Sequence, residues 1–214
     1  MKRNQNRESS GYHIIGYSLL KARAIPLLLL FSAVMITSIW GYNRNMLYFG
    51  YMLTAISICA YFIIGLRYRF EKNLRKPSEH IVYFPLAGKI SSIKEVGAKT
   101  IISVQKSTLD FIDIRSPHAL CRRETGDLII DEIELKITFT EGKIKTFEEE
   151  SFKAGNIIGM AQGKVYYTVE LSAEQDINLS VGQELKAGSS VLTMLEYAPI
   201  IEVIDTTIPA DEEG

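Results

Sequence analysis

Two long stretches without a charged residue dominate the first third of the chain. The first covers the 17 residues 24–40, and the second covers the 21 residues 46–66. A bilayer core needs about 20 apolar residues per helix, with about 17 as the lower limit. The pattern therefore predicts a transmembrane helical hairpin over residues 24–66, preceded by a cytoplasmic N-terminal and interfacial segment over residues 1–23.

The segment before the hairpin has two parts. Residues 1–11 are polar and predict a disordered start, whereas Tyr12 to Leu20 is apolar and has basic residues on both sides. Such a stretch is typical of a helix that lies in the membrane interface. Pro26 stands near the start of the first span, where a missing N–H is best tolerated.

After Pro77 the pattern changes to short β-branched runs of alternating polarity, separated by Gly, Asp and Asn. This predicts a β-rich soluble domain over residues 78–197, built as a compact sandwich or barrel, and an acidic tail over residues 198–214. Turns are expected at Glu141-Gly142, Gly155-Asn156 and Val181-Gly182. The predicted strands cover residues 80–84, 88–95, 100–105, 111–114, 128–133, 135–139, 143–148, 156–160, 164–171 and 190–197.

The charges divide the chain at the same boundary. Residues 1–77 hold 11 Lys/Arg and 2 Asp/Glu, whereas residues 78–214 hold 13 and 23. The basic residues flank both spans and are nearly missing from the loop between them, so the positive-inside rule predicts a multi-pass protein of the cytoplasmic (inner) membrane with both termini cytoplasmic. Residues 67–77 form a basic juxtamembrane linker expected to meet anionic lipid; its cations are Arg67, Arg69, Lys72, Arg75 and Lys76.

Several classes of function are not indicated. The three histidines and two cysteines lack the spacing of a metal site, and no phosphate-binding loop or nucleic-acid motif is present. Because the basic residues are concentrated beside the spans, the predicted partner is the lipid bilayer rather than DNA or RNA.

Three motifs follow the basic linker in a fixed order. They are F-P-L-A-G-K-I-S-S-I at residues 84–93, I-S-V-Q-K-S-T-L-D-F-I-D-I-R-S-P at residues 102–117, and V-G-Q-E-L-K-A-G-S-S-V-L at residues 181–192. In this order, from about Glu8 to Leu195, the chain resembles the short membrane-anchored phosphatidylserine decarboxylases of bacteria. The last motif also resembles barrel-sandwich hybrid domains. The implied fold is thus two transmembrane helices and a mainly-β domain of barrel-sandwich hybrid, phosphatidylserine-decarboxylase-like type.

The resemblance does not extend to the residues of the family's chemistry. Family members cleave themselves before a serine, which becomes the pyruvoyl group that carries the decarboxylation. Here Lys164 follows Gly163 at the matching position and has no hydroxyl or thiol for an N→O acyl shift. Ala87 replaces the family's aspartate and Ile112 its histidine. We therefore expect no pyruvoyl cofactor and no catalytic residue: a pseudoenzyme kept as a lipid-binding or assembly subunit, with an aminophospholipid, a protein partner or a second copy as candidate partners.

Two other functions stay open. One is a phosphatidylserine decarboxylase-type enzyme of phosphatidylethanolamine synthesis that uses an unrecognised cleavage, and the other is a barrel-sandwich adaptor of a membrane transport or envelope complex. Of the remaining candidate residues, Lys106 lacks the context of a biotin- or lipoate-bearing lysine. His118 is expected in a solvated loop rather than as an acid/base with Asp110 or Asp113. Gly188-Ser189-Ser190 is read as a β-turn rather than a displaced cleavage site.

Overall fold

The computed structural model describes residues 5–70, 78, 80–147, 153–175 and 177–195. Most of the predicted basic linker and the whole acidic tail lie outside these residues. The described chain forms a helical hairpin followed by a mainly-β domain, as the hydrophobic pattern predicted.

Two antiparallel helices, α1 (Gln5–Trp40) and α2 (Arg44–Arg67), form the hairpin. Both are long and apolar enough to cross a membrane. The Asn43 side chain caps α2 by accepting the N–H of Asn45 (3.0 Å). Small residues lie between the helices: Ala33 and Gly50 are buried, and a Cβ at Gly50 would meet the Thr37 side chain. Such residues let helix backbones approach closely in lipid, where apolar side chains alone give little preference for association.

Helix α1 begins earlier than the sequence indicated. Residues 5–11, expected to be disordered, are helical, and the predicted interfacial stretch Tyr12 to Leu20 continues directly into the first span. Pro26 therefore lies inside a helix rather than in its first turn. The reason is tertiary: Ile15 is fully buried against the β domain, and this contact stabilises turns that the local sequence does not favour.

The β domain is an antiparallel sheet in the order β5-β6-β7-β8-β3-β2-β9 that curls into a half-barrel, with β4 paired to β8; β1 and β10 form a separate pair. A single 3-10 turn, Asp131–Ile133, joins β6 to β7. The strands are β1 (Ile81–Tyr83), β2 (Gly88–Val96), β3 (Lys99–Lys106), β4 (Asp113–Arg115), β5 (Arg122–Glu124), β6 (Asp127–Ile130), β7 (Leu135–Thr146), β8 (Ile157–Ser172), β9 (Glu184–Leu185) and β10 (Val191–Met194).

The sequence pattern predicted that strands end near Gly142 and Gly163, but both glycines lie at bends inside long strands. Gly142 has φ +123° within β7, and Gly163 has φ +75° within β8. The β7–β8 register shifts around both positions, which is the signature of β-bulges. The prediction of a turn at Glu141-Gly142 was therefore wrong. A bulge increases the bend of a strand, so these two glycines help the sheet to curl.

Two hydrophobic cores hold the molecule together. The larger lies inside the curled sheet and includes Phe84, Val104 and Tyr167. The smaller joins α1 to the domain and is formed by Ile15, Ile112, Phe147, Ile157 and Met160, with Tyr12, Ile14, Tyr68 and Phe70 packed against it. The second core therefore places the start of α1, the end of α2 and the β domain at one end of the hairpin.

Candidate functional site

A cleft of about 620 Å³ opens in the β domain beside the end of α2. It lies between the start of β2, the end of β3, the loop from β3 to β4 and the turn that precedes β9. Its volume is in the range of pockets that hold small molecules. Gly88, at its base, has no room for a side chain, because a Cβ there would lie 2.9 Å from the carbonyl oxygen of Gln105.

The cleft carries charges of both signs. Lys89 and Glu184 are directly opposite on β2 and β9, so their side chains share one face of the sheet. The β3–β4 loop contributes Asp110, whose carboxylate accepts the N–H of Ser107 (2.6 Å). The charged lining residues are Arg69, Lys89, Lys186, Asp110 and Glu184. Such a lining can bind a ligand that carries both a negatively and a positively charged group.

Arg69 links the cleft to the helical hairpin. The carbonyl of Arg69 accepts the N–H of Ile112 (2.9 Å), and its guanidinium lies 5.0 Å from the centre of the Phe111 ring. Nearby, the Tyr68 hydroxyl accepts a hydrogen bond from the amide of Gln162 (3.0 Å). The chain that leaves α2 is therefore attached to the β3–β4 loop and to β8.

The predicted basic cluster is only partly described. Arg67 is the last residue of α2 and is exposed, and Arg69 lines the cleft. Lys72, Arg75 and Lys76 lie outside the described residues.

The positions matched to the decarboxylase family surround the end of β3. Ala87 is buried at the wall of the cleft, and Ile112 is fully buried in the smaller core. Gly163 forms the bulge in β8, and the exposed Lys164 extends over the ring of Tyr166 at 5.0 Å. Of these four residues only Lys164 has an ionisable side chain, and its amine faces outward from the bulge.

Lys106 is a buried ionisable residue beside the bulge in β8. Its ammonium donates to the carbonyls of Ser107 (2.8 Å) and Gly163 (3.2 Å), so it links the end of β3 to the bulge in β8. Burial lowers the pKa of Lys106, and the carboxylates of Asp110 and Asp113 oppose that shift. A lysine enclosed in this way is placed to hold the bulge rather than to carry a prosthetic group.

A buried ion pair supports β4 behind the cleft. The Arg115 Nε donates to Asp113 Oδ2 at 2.6 Å, and both side chains are at most 1% exposed. A second Arg115 nitrogen donates to the carbonyl of Gly155 (2.9 Å), and its guanidinium lies 5.9 Å from the Tyr12 ring centre. Because a buried charge without partners is costly, this set of contacts fixes β4 relative to α1 and the turn before β8.

The expectation of a solvated His118 was wrong, because its side chain is only 2% exposed. Its Nδ1 accepts the N–H of Leu120 (3.2 Å), while the carbonyl of Pro117 accepts the N–H of Tyr83 and holds this loop against β1. Gly188-Ser189-Ser190 does form a turn, in which the Ser190 hydroxyl accepts the N–H of Lys186 (2.8 Å).

The cleft itself was not found by sequence reasoning. Its walls come from Arg69 and from three segments that fall within the motifs at residues 84–93, 102–117 and 181–192. The usable signal was these three motifs, but their order along the chain does not show that they meet around one opening. Within the parts of the chain that the structure describes, no group of three or more His, Cys, Asp or Glu side chains could hold a metal ion.

Comparison of the chain with protein-family models, with curated proteins and with solved structures finds no match.

Proposed function

We propose that this protein is a membrane-anchored, phosphatidylserine-decarboxylase-like pseudoenzyme that binds a phospholipid headgroup in the cleft beside α2. The observation that carries the proposal is the position of the cleft: Arg69 lines it and follows the last residue of α2 by only two positions. Two residues span at most about 7 Å, so the cleft lies within reach of the headgroups around the hairpin.

The charges of the cleft suit an aminophospholipid. Arg69, Lys89 and Lys186 can donate to a phosphate or carboxylate, and Asp110 and Glu184 can accept from a primary amine. The acyl chains would stay in the bilayer while the headgroup enters the cleft. This arrangement supports binding without requiring any bond to be broken.

The non-catalytic part of the proposal is supported by the family positions. Self-cleavage needs a hydroxyl or thiol after Gly163, and Lys164 has neither. Ala87 and Ile112 cannot transfer protons. We place the protein in the cytoplasmic membrane with both termini inside, because the basic residues flank the hairpin and its loop carries only Arg44.

The binding proposal is tested with purified protein in lipid nanodiscs, by native mass spectrometry of retained phosphatidylserine, phosphatidylethanolamine and phosphatidylcholine. Lys89→Gln with Lys186→Gln should weaken retention of phosphatidylserine about tenfold, because an exposed charge pair contributes about 0.2 to 1 kcal/mol and about 1.4 kcal/mol corresponds to a factor of ten. Glu184→Gln should reduce the preference for a primary amine over choline. Lys143→Gln with Lys145→Gln, two exposed lysines of β7, is the matched control.

Equal retention by the cleft variant and the β7 control would contradict headgroup binding in the cleft. The same sample decides between pseudoenzyme and enzyme. A single species of 24.1 kDa is expected. Two fragments that meet near Gly163, or conversion of phosphatidylserine to phosphatidylethanolamine, would overturn the non-catalytic assignment.

A further inference from the structure

Two exposed apolar side chains stand on separate loops at the cleft. Leu109, between β3 and β4, is 57% exposed, and Val181, before β9, is 62% exposed. Both line the cleft. Single exposed apolar residues are common, but these two stand together around one opening.

Each of the two residues is presented by a hydrogen-bonded turn. In the first turn the Asp110 N–H donates to the Ser107 carbonyl (3.3 Å), and the Ser107 N–H donates to the Asp110 carboxylate (2.6 Å). In the second, the Gln183 N–H donates to the Ser180 carbonyl (3.1 Å), and the Gln183 side chain accepts the Ser180 N–H (3.1 Å). The apolar tips are therefore held outward by defined backbone geometry.

The opening lies at the end of the domain that meets the hairpin. Phe111 of the first loop packs under the Arg69 guanidinium, and the backbone of Ile112 is bonded to that of Arg69. The cations Lys89 and Lys186 lie on the same cleft. Apolar tips beside cations are the combination that binds a bilayer surface, since the tips enter the acyl boundary and the cations meet lipid phosphates.

We propose that Leu109 and Val181 insert into the leaflet around the hairpin and hold the mouth of the cleft against the lipid. The occupant of this surface is the phospholipid bilayer that α1 and α2 cross. The inference rests on the membrane anchoring included in the proposed function, but it does not require that a headgroup binds in the cleft.

Depth-dependent quenching tests the proposal in the full-length protein. Single cysteines at Leu109, Val181 and Val96, in a Cys59→Ala background, are labelled with an environment-sensitive dye in liposomes that contain lipid with a spin label high on the acyl chain. Cys121 is buried and is not expected to take the dye. Val96 is the matched control because it is 58% exposed, and it lies eight residues along β2 from Gly88, about 26 Å from the cleft.

We expect at least threefold stronger quenching at positions 109 and 181 than at position 96. Trp40, the single tryptophan, reports at the same time whether the hairpin is in the bilayer. Quenched Trp40 with equal quenching at all three labels would overturn the insertion of the loops while leaving the anchor intact. Unquenched Trp40 would overturn both the membrane anchoring and this inference. If the loop labels are quenched but headgroup retention is lost, only the proposed headgroup binding in the cleft is contradicted.

Discussion

At the scale of single residues, burial in the β domain shifts two side chains, Lys106 and Cys121, toward their neutral forms. Burial lowers the pKa of Lys106 and raises the pKa of Cys121 to about 12. The two shifts affect stability with opposite signs. Because the folded pKa of Lys106 is the lower one, its contribution to the stability of the folded protein is complete above the unfolded pKa and is lost as the pH falls through the folded pKa. The contribution of the Cys121 thiol is complete below its unfolded pKa and is lost as the pH rises through its folded pKa.

The thiol gives a direct test. In a Cys59→Ala variant with 13C-labelled cysteine, the NMR shift of the Cys121 Cβ should report a thiolate only as the pH approaches about 12, and the same chain in denaturant should titrate near 9.0. Because the folded pKa is the higher one, the thiol's contribution to the free energy of unfolding is complete below pH 9.0 and is lost between the two values. A thiolate that forms near 9.0 in the folded protein would contradict the burial of Cys121.

At the scale of elements, two long strands bend instead of ending. Gly142 and Gly163 both adopt positive φ, but their surroundings differ. A Cβ at Gly142 would lie 2.6 Å from the Val165 side chain and 3.0 Å from the carbonyl of Lys164, while a Cβ at Gly163 would meet nothing within 4 Å. The bulge in β7 therefore needs glycine for both conformation and space, and the bulge in β8 needs it for conformation alone.

This difference predicts unequal costs for the same substitution. Gly142→Ala should lower the free energy of unfolding by about 3 kcal/mol or more, through backbone strain plus overpacking. Gly163→Ala, the matched control, should lower it by about 1 to 2 kcal/mol through strain alone. Urea unfolding of both variants in detergent micelles, followed by circular dichroism, measures the two values. Equal losses would show that Val165 does not pack against Gly142.

At the scale of the whole molecule, the helical hairpin and the β domain are joined by side-chain packing as well as by the continuous polypeptide. Gly11 of α1 lies against β8, where a Cβ would be 2.9 Å from the Ile157 Cβ, and Ile15 is fully buried in the smaller core. The hairpin thus restrains the orientation of the cleft through α1 and through Arg69.

A single substitution should separate the start of α1 from β8. Gly11→Leu should force the start of α1 away from β8 and increase hydrogen exchange of residues 157–160, because the leucine side chain has no room beside Ile157. Gly16→Leu is the control on the same helix, since a Cβ there meets nothing within 4 Å. Exchange measured by mass spectrometry in micelles should change only for Gly11→Leu. Unchanged exchange in both variants would show that α1 does not rest on β8 in solution.

The apolar stretches of the sequence are enough to predict the helical hairpin, and its alternating runs are enough to predict a mainly-β domain. Both depend on local pattern: a span needs an unbroken apolar stretch because lipid cannot hydrogen-bond its backbone, and a half-buried strand needs alternation. The short strands β5 and β9 were missed because their few residues, Arg122–Glu124 and Glu184–Leu185, carry no such pattern. The family resemblance and the function drawn from it remain a prediction, argued from motif order.

Contacts between distant parts of the chain select whether a glycine makes a turn or a bulge, where α1 begins, and which polar residues are buried. The sequence around Gly142 is compatible with a turn and with a bulge, and the pairing of β7 with β8 selects the bulge. His118 was expected in a solvated loop, and the packing of that loop against β1 buries it. The cleft belongs to this second class as well, because Arg69, Ala87, Asp110 and Glu184 share no sequence neighbourhood. They meet because the antiparallel sheet returns distant segments to one edge, beside the end of α2.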